Sequence, residues 1–280
     1  MAKNGDVDGN MNFNGGTDFD HFGAHSVAAR EIINFVKAPL YDHLLLTGIS
    51  GAGKTHLIKR IQHFLTDLCW SVISCSELFL ADTGGTERHL ANILSNADVA
   101  VLDMVEIIAG ILPSYIGHEM EHRIQSVFKY LLDQRKVKVI GITSAPELLK
   151  ADFTRAGRFS TSINVSISFA WQRKSLLKEF NYFLKDDQLN SLAERTLGYS
   201  AADLERLHSI AYQVAINSGR SLMSYDDYLL AMKEIQPSAT KDLPLIKSSA
   251  TGLPNLLVGL IHMEKEILVA IHYGNLARLS

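Results

Sequence analysis

Cysteine is nearly absent: Cys69 and Cys75 are the only two in 280 residues. That excludes a disulfide framework and fits a reducing compartment. Long apolar runs are missing as well. The longest, residues 99–112, is interrupted by Asp103 and Glu106, whereas a bilayer span needs about 18 clean residues. No basic-then-apolar leader opens the sequence, so a secreted product is not expected. Excess charge of one sign is also lacking: 27 Lys plus Arg stand against 30 Asp plus Glu, a net charge of −3. The chain as a whole is therefore not drawn to nucleic acid or to anionic lipid. What is present is ordinary globular usage, 47% apolar and 20% charged, which excludes a wholly disordered polypeptide. At roughly 150 residues per unit the length allows about two domains.

The first twenty residues contain four Asn, four Gly and four Asp; such a segment cannot bury a core and reads as a flexible tail, residues 1–19. Helical periodicity follows over 27–35. An apolar run at 43–47 ends at Gly48, the mark of a buried strand, and 55–68 has a helical stripe of Leu57, Ile58, Ile61, Phe64, Leu65 and Leu68. Strands are predicted at 72–75, 99–102 and 137–143, with helices at 87–94 and 119–132 between them. Strands that alternate with helices predict an α/β fold, a parallel sheet with helices on both faces, over 20–168. Beyond 168 only helical patterns remain, at 172–183, 189–196, 201–217 and 225–235, which predicts an all-α lid over 169–238. Residues 239–256 read as a linker, and 258–271 as one more helix-like stretch.

Gly48-Ile49-Ser50-Gly51-Ala52-Gly53-Lys54-Thr55 matches G-x-x-x-x-G-K-[ST] without a mismatch, between an apolar strand and an amphipathic helix. The glycines let the loop curl so that backbone N–H groups face phosphates at a helix N-terminus. This predicts a P-loop that binds a nucleotide, ATP with Mg²⁺: Lys54 reaches the β- and γ-phosphates and the Thr55 hydroxyl ligates the metal. The strand ending in Asp103 supplies the expected carboxylate, which holds the metal through water. A second pattern, His118-Glu119-Met120-Glu121-His122, matches H-E-x-x-H and could hold Zn²⁺ from one helix face. No third ligand follows at a familiar spacing, and a solvated helix face is the plainer reading.

Residues 139–159, with Ser144 on the strand and Arg155-Ala156-Gly157-Arg158-Phe159 after it, resemble the second region of homology of the AAA ATPases. Gly198-Tyr199-Ser200-Ala201-Ala202-Asp203-Leu204 is similar to the opening of the second half of that family's helical lid, and 226–238 to its close. The resemblance implies a head-to-tail ring, a homo- or hetero-hexamer, acting on a polypeptide and not on nucleic acid. It implies that Phe22 and Gly23 clasp adenine and that Ser144 is the polar sensor. Arg155 and Arg158 are implied to reach, in trans, the γ-phosphate held by a neighbouring subunit.

The departures bear on catalysis. Met104 stands where the family has the Glu that polarises the attacking water, a general-base contribution worth typically ~10²–10⁴-fold. Glu106 follows two residues later, with its backbone position expected to point it elsewhere. Ser144 is shorter than the usual Asn, Leu197 replaces a lid His, and 81–84 lacks the aromatic that grips a translocating chain. Binding is expected to persist and hydrolysis to be weak or absent.

Residues 257–280, beginning Val258-Gly259-Leu260, resemble the opening of a second AAA domain, so the chain is expected to be a first domain of the tandem type, a fragment or isoform. The stretch from Asp103 to Gly110 is most similar to the peroxisome-biogenesis type and next to the Cdc48 type. The former implies export of an import receptor and matrix protein import, in the cytoplasm and peripherally at the peroxisomal membrane through partners. A hydrolysis-competent unfoldase of the Cdc48 type is the alternative, and a small P-loop kinase a third.

Overall fold

The computed structural model describes residues 19–40, 42–78, 84–110, 118–181 and 183–240. The expected tail before Phe19, the linker beyond residue 240, the second-domain stub at 257–280 and residues 81–83 lie outside the described residues.

Five strands, β1 (His43–Thr47), β2 (Trp70–Ser74), β3 (Val99–Asp103), β4 (Lys138–Ile142) and β5 (Thr161–Asn164), form one parallel sheet in the order β2-β3-β4-β1-β5. The period-2 alternation of side chains assigns them to two cores. Val99, Val101, Ile140, Ile142, Leu44 and Leu46 face a cluster with Ile32, Ile33, Leu57, Ile58 and Ile61, carried by α1 (Ser26–Lys37) and α2 (Lys54–Phe64). Ala100, Leu102, Val139 and Leu45 face the opposite cluster with Leu90, Leu94, Ile124, Phe128 and Leu132, carried by α3 (Gly85–Ser95) and α5 (His118–Asp133). A buried lysine joins the layers: Lys138 Nζ donates to the carbonyls of Phe35, Val36 and Ala38, closing the C-terminus of α1.

Among the described residues the predicted strands and helices are present, most of them with displaced ends. The α2 stripe was read to Leu68, but the helix stops at Phe64 because Leu65 leaves helical geometry (φ −108, ψ 69); Leu65 and Leu68 still pack at the rim of the core. The predicted helix at 225–235 ends at Ala231, as α10 (Tyr225–Ala231). Strand β5 was not predicted. Ile163 is its only buried residue and Thr161, Ser162 and Asn164 are exposed, so its apolar content is low; the alternation Ile163, Val165, Ile167 was the signal. Two one-turn helices, α4 (Glu106–Ala109) and α6 (Ala151–Thr154), were also not read.

Helices α7 (Ala170–Phe180), α8 (Asp186–Arg195), α9 (Ala201–Asn217) and α10 follow the sheet. They share a core of Leu177, Leu189, Leu192, Leu204, Leu207 and Tyr228. Polar residues fix their junctions. Asp203 caps α9 by accepting from Ser200 N–H (2.9 Å), and it also accepts from Ser238 N–H (2.9 Å) and Ser238 Oγ (2.8 Å). Gln172 Nε2 donates to Ala24 O (2.9 Å) and Ser166 O (3.1 Å), tying α7 to the chain that precedes α1.

Candidate functional site

Strand register places the site. Asp103 pairs with Ile142, and Leu46 pairs with the same residue, so β1, β3 and β4 end at one level. The loop between β1 and α2 lies on this C-terminal edge, where open parallel sheets bind ligands. Gly48 turns the chain out of β1 at φ 144, and a Cβ there would lie 2.3 Å from Val165 O, so only glycine fits. The loop then tightens through Ala52 N–H to Ile49 O (3.1 Å) and enters α2 at Lys54. The first N–H groups of α2 have no carbonyl of their own helix to bind, which is the anion-binding arrangement of a helix N-terminus.

Lys54, 7% exposed, folds back over the loop. Its Nζ donates to Gly48 O (2.6 Å), Ile49 O (3.0 Å) and Ser144 Oγ (2.8 Å). Burial lowers its pKa from the ordinary lysine value, while the Asp103 and Glu106 carboxylates oppose that shift. Thr55 Oγ1 donates to Asp103 Oδ2 at 2.8 Å. Strands β1, β3 and β4 and helix α2 thus bring Lys54, Thr55, Asp103 and Ser144 together. The donor set fits a nucleotide with a hard divalent cation. A hydroxyl and a carboxylate oxygen lie side by side for the metal, with a cation and free helix-terminal N–H groups for phosphates.

Met104 follows Asp103 with φ 55, and its N–H donates to Asp103 Oδ1 (2.9 Å). Met104 is 39% exposed, and its thioether offers no proton acceptor. Val105 N–H bonds Ile142 O (3.0 Å), which starts α4 above the end of β4. Glu106 Oε2 is buried with no hydrogen-bond partner.

The other expected residues separate. Arg155 is exposed at the end of α6. Arg158 is 3% exposed; its Nε and Nη2 donate to Asp133 Oδ1 (2.9 Å) and Oδ2 (2.7 Å), and its Nη1 to Asp152 O (2.8 Å). The paired guanidinium holds the Asp133 carboxyl below its ordinary pKa. Arg158 is thus engaged inside its own chain, where it clamps α5 to α6. The two arginines, both expected to reach a neighbouring subunit's γ-phosphate, share a motif but not an environment. The ring of Phe22, 1% exposed, is part of the core, so a base could meet this segment only through its backbone. Gly23 has φ 55, and a Cβ there would fall 2.3 Å from Glu179 Oε1 of α7. Of the H-E-x-x-H segment, Glu119 and His122 are exposed, and no group of His, Cys, Asp and Glu that could hold a metal occurs among the described residues.

Two further neighbours hold the loop, and only the first gave no sequence signal. His25 lies under it: a Cβ on Gly53 would come within 2.9 Å of His25 Nε2. At the start of α9, Ala202 N–H donates to Gly51 O (3.0 Å), so the helical layer rests on the loop.

A P-loop at the C-terminal edge of a parallel sheet, with a threonine–aspartate pair beside it, defines a nucleoside-triphosphate-binding protein. The family model described as "ATPase family associated with various cellular activities (AAA)" matches residues 44–167. Over those residues the fold is that of an AAA domain. It is 27% identical over 244 residues to human ATPase family gene 2 protein homolog A, covering 77% of this chain and 27% of that protein. It is 26% identical to the cell division cycle protein 48 homolog of Archaeoglobus fulgidus, over 82% of this chain and 35% of the relative. With the proteasome-activating nucleotidase of Methanosarcina mazei it shares 26% identity over 79% of this chain and 59% of the relative. The chain therefore spans less than two thirds of each of these relatives.

Proposed function

We propose that this chain is the ATP-binding module of a ring-forming, protein-remodelling ATPase, and that its own hydrolysis is slow. The observation that carries the reading is the meeting of Lys54, Thr55, Asp103 and Ser144 beside a residue, Met104, that cannot activate water. ATP would draw Lys54 from the Gly48 and Ile49 carbonyls onto β- and γ-phosphate oxygens, stronger charge-assisted acceptors. The loop N–H groups would take the β-phosphate. Thr55 and Asp103 would hold Mg²⁺, which when bound neutralises charge developing on the phosphate oxygens. The backbone at Phe22 and Gly23 would border the base.

Exposed Arg155 supports a homo- or hetero-hexameric ring in which it serves the neighbouring subunit's nucleotide, with Arg158 bracing the segment from behind. In this reading residues 20–168 bind nucleotide and 169–238 form the lid, and the machine acts on polypeptide, not nucleic acid. The names of the relatives support a Cdc48-type or proteasome-associated remodeller. The stretch from Asp103 to Gly110 supports a second reading, receptor export and matrix protein import at the peroxisomal membrane, reached through partner subunits. Steady-state turnover tests the catalytic half of the proposal. At saturating ATP, Met104→Glu should raise the rate by at least about tenfold, out of the ~10²–10⁴ typical of a positioned base. A variant no faster than the original chain would refute it.

A further inference from the structure

We infer that the cleft between α2 and the 3₁₀ segment Asp20–His25 is a docking site for an acidic peptide segment of a partner protein, anchored by an aromatic side chain. Helical spacing builds one wall. In α2, Leu57, Ile58 and Ile61 turn to the core. That leaves His56, Lys59, Arg60 and His63, three and four residues apart, on the opposite side. His21 and Phe22 of the 3₁₀ segment form the other wall. A cavity of about 460 Å³ opens between the two.

The charge of this cavity departs from that of the whole chain, which is −3. Every ionisable side chain that lines it is basic, and no carboxylate of the described residues is among them. Among the described residues no ion pair neutralises Lys59, and the Arg60 guanidinium donates only to His21 O. An incoming carboxylate therefore has no resident one to displace.

The far end is aromatic. The ring centres of His21 and Phe22 are 4.1 Å apart, and that of Phe64 lies 5.1 Å from the first and 5.8 Å from the second. Phe22 is buried as the floor, but Phe64 is 39% exposed. A ring laid against Phe64 and His21 removes that surface from water, while flanking carboxylates meet Lys59 and Arg60. The dimensions favour a peptide. From His56 to Phe64 the wall runs for about 12 Å, the reach of about four extended residues. Two formal positive charges over that length suit two or three carboxylates, whereas a nucleic-acid strand calls for a longer basic track.

The test titrates the full chain, by fluorescence anisotropy, with a fluorescein-labelled peptide of about ten residues, all glutamate but for one central phenylalanine. Each titration is run without nucleotide and again with saturating ADP and Mg²⁺. Saturable binding is expected, unchanged by ADP and weaker at about 300 mM NaCl than at about 50 mM. The same peptide with alanine for the phenylalanine binds at least about fivefold more weakly. Lys59→Glu replaces attraction by repulsion and weakens binding by about fivefold or more. Lys136→Glu, the same charge change at an exposed position between α5 and β4, leaves it within about twofold.

No saturable binding overturns the inference. So does displacement by ADP, which assigns the peptide to the P-loop, or an equal loss in the two lysine variants, which marks attraction to the chain's charge at large. Indifference to the phenylalanine overturns it too, because the cleft then takes any small anion. Tighter binding of a labelled oligothymidylate of the same length assigns the cleft to single-stranded nucleic acid instead.

Discussion

Lowering the pH from about 7 to about 5 should weaken this fold through His25, a residue the sequence patterns did not single out. Its ring is 7% exposed beneath the P-loop, and its Nδ1 is buried without a partner. Burial above all, then the charges of Arg60 and His56, lower its pKa from 6.5 to about 4. The sign follows directly. Between those values the unfolded chain binds a proton that the folded chain refuses, so stability is whole above about 6.5 and is lost as pH falls toward about 4. The full shift corresponds to about 3 kcal/mol at 1.36 kcal/mol per unit, of which about 2 kcal/mol is gone by pH 5. That is a sizeable part of the 5–15 kcal/mol typical of a folded domain. Chemical denaturation of the original chain and of His25→Phe, each at both pH values, measures the effect. His43 and His208 are also held below the ordinary histidine value by burial, and their shared contribution cancels in the comparison. The variant should lose about 2 kcal/mol less than the original on acidification. Equal losses in the two proteins would refute the reasoning.

Arg158→Ala removes both bonds to Asp133 and the bond to Asp152 O, and should destabilise the fold by about 2 kcal/mol because Asp133 is half in water. Arg155→Ala, at an exposed position, should leave the thermal midpoint where it is. Asp203→Ala strands the donors of Ser200 and Ser238. It should cost about 2 kcal/mol, seen as faster limited proteolysis within 183–240.

Much of this architecture was legible in the sequence because burial and periodicity coincide there. The strand at 43–47 and the helix at 201–217 have the predicted bounds, the first a continuous apolar run and the second opened by its Ser200–Asp203 capping box. Strand β5 was missed because a half-exposed edge strand carries few apolar residues. Helix α2 was read too long because Leu65 and Leu68 keep the apolar stripe after the helical hydrogen bonds have ended. Motif spacing led to Lys54, Thr55 and Asp103, since a P-loop constrains residue type at fixed separations. It could not reveal that Arg158 is clamped by Asp133 while Arg155 is exposed, because both fit the same local pattern.

The central claim is that this edge of the sheet binds ATP through Lys54, and equilibrium titration of the chain with ATP tests it most directly. Lys54→Ala removes the ammonium group that contacts Gly48, Ile49 and Ser144. Hydrogen bonds to charged groups contribute about 1.5–3 kcal/mol, so the dissociation constant should rise by at least about tenfold. Equal affinity in the two proteins, or no binding by either, would contradict the account.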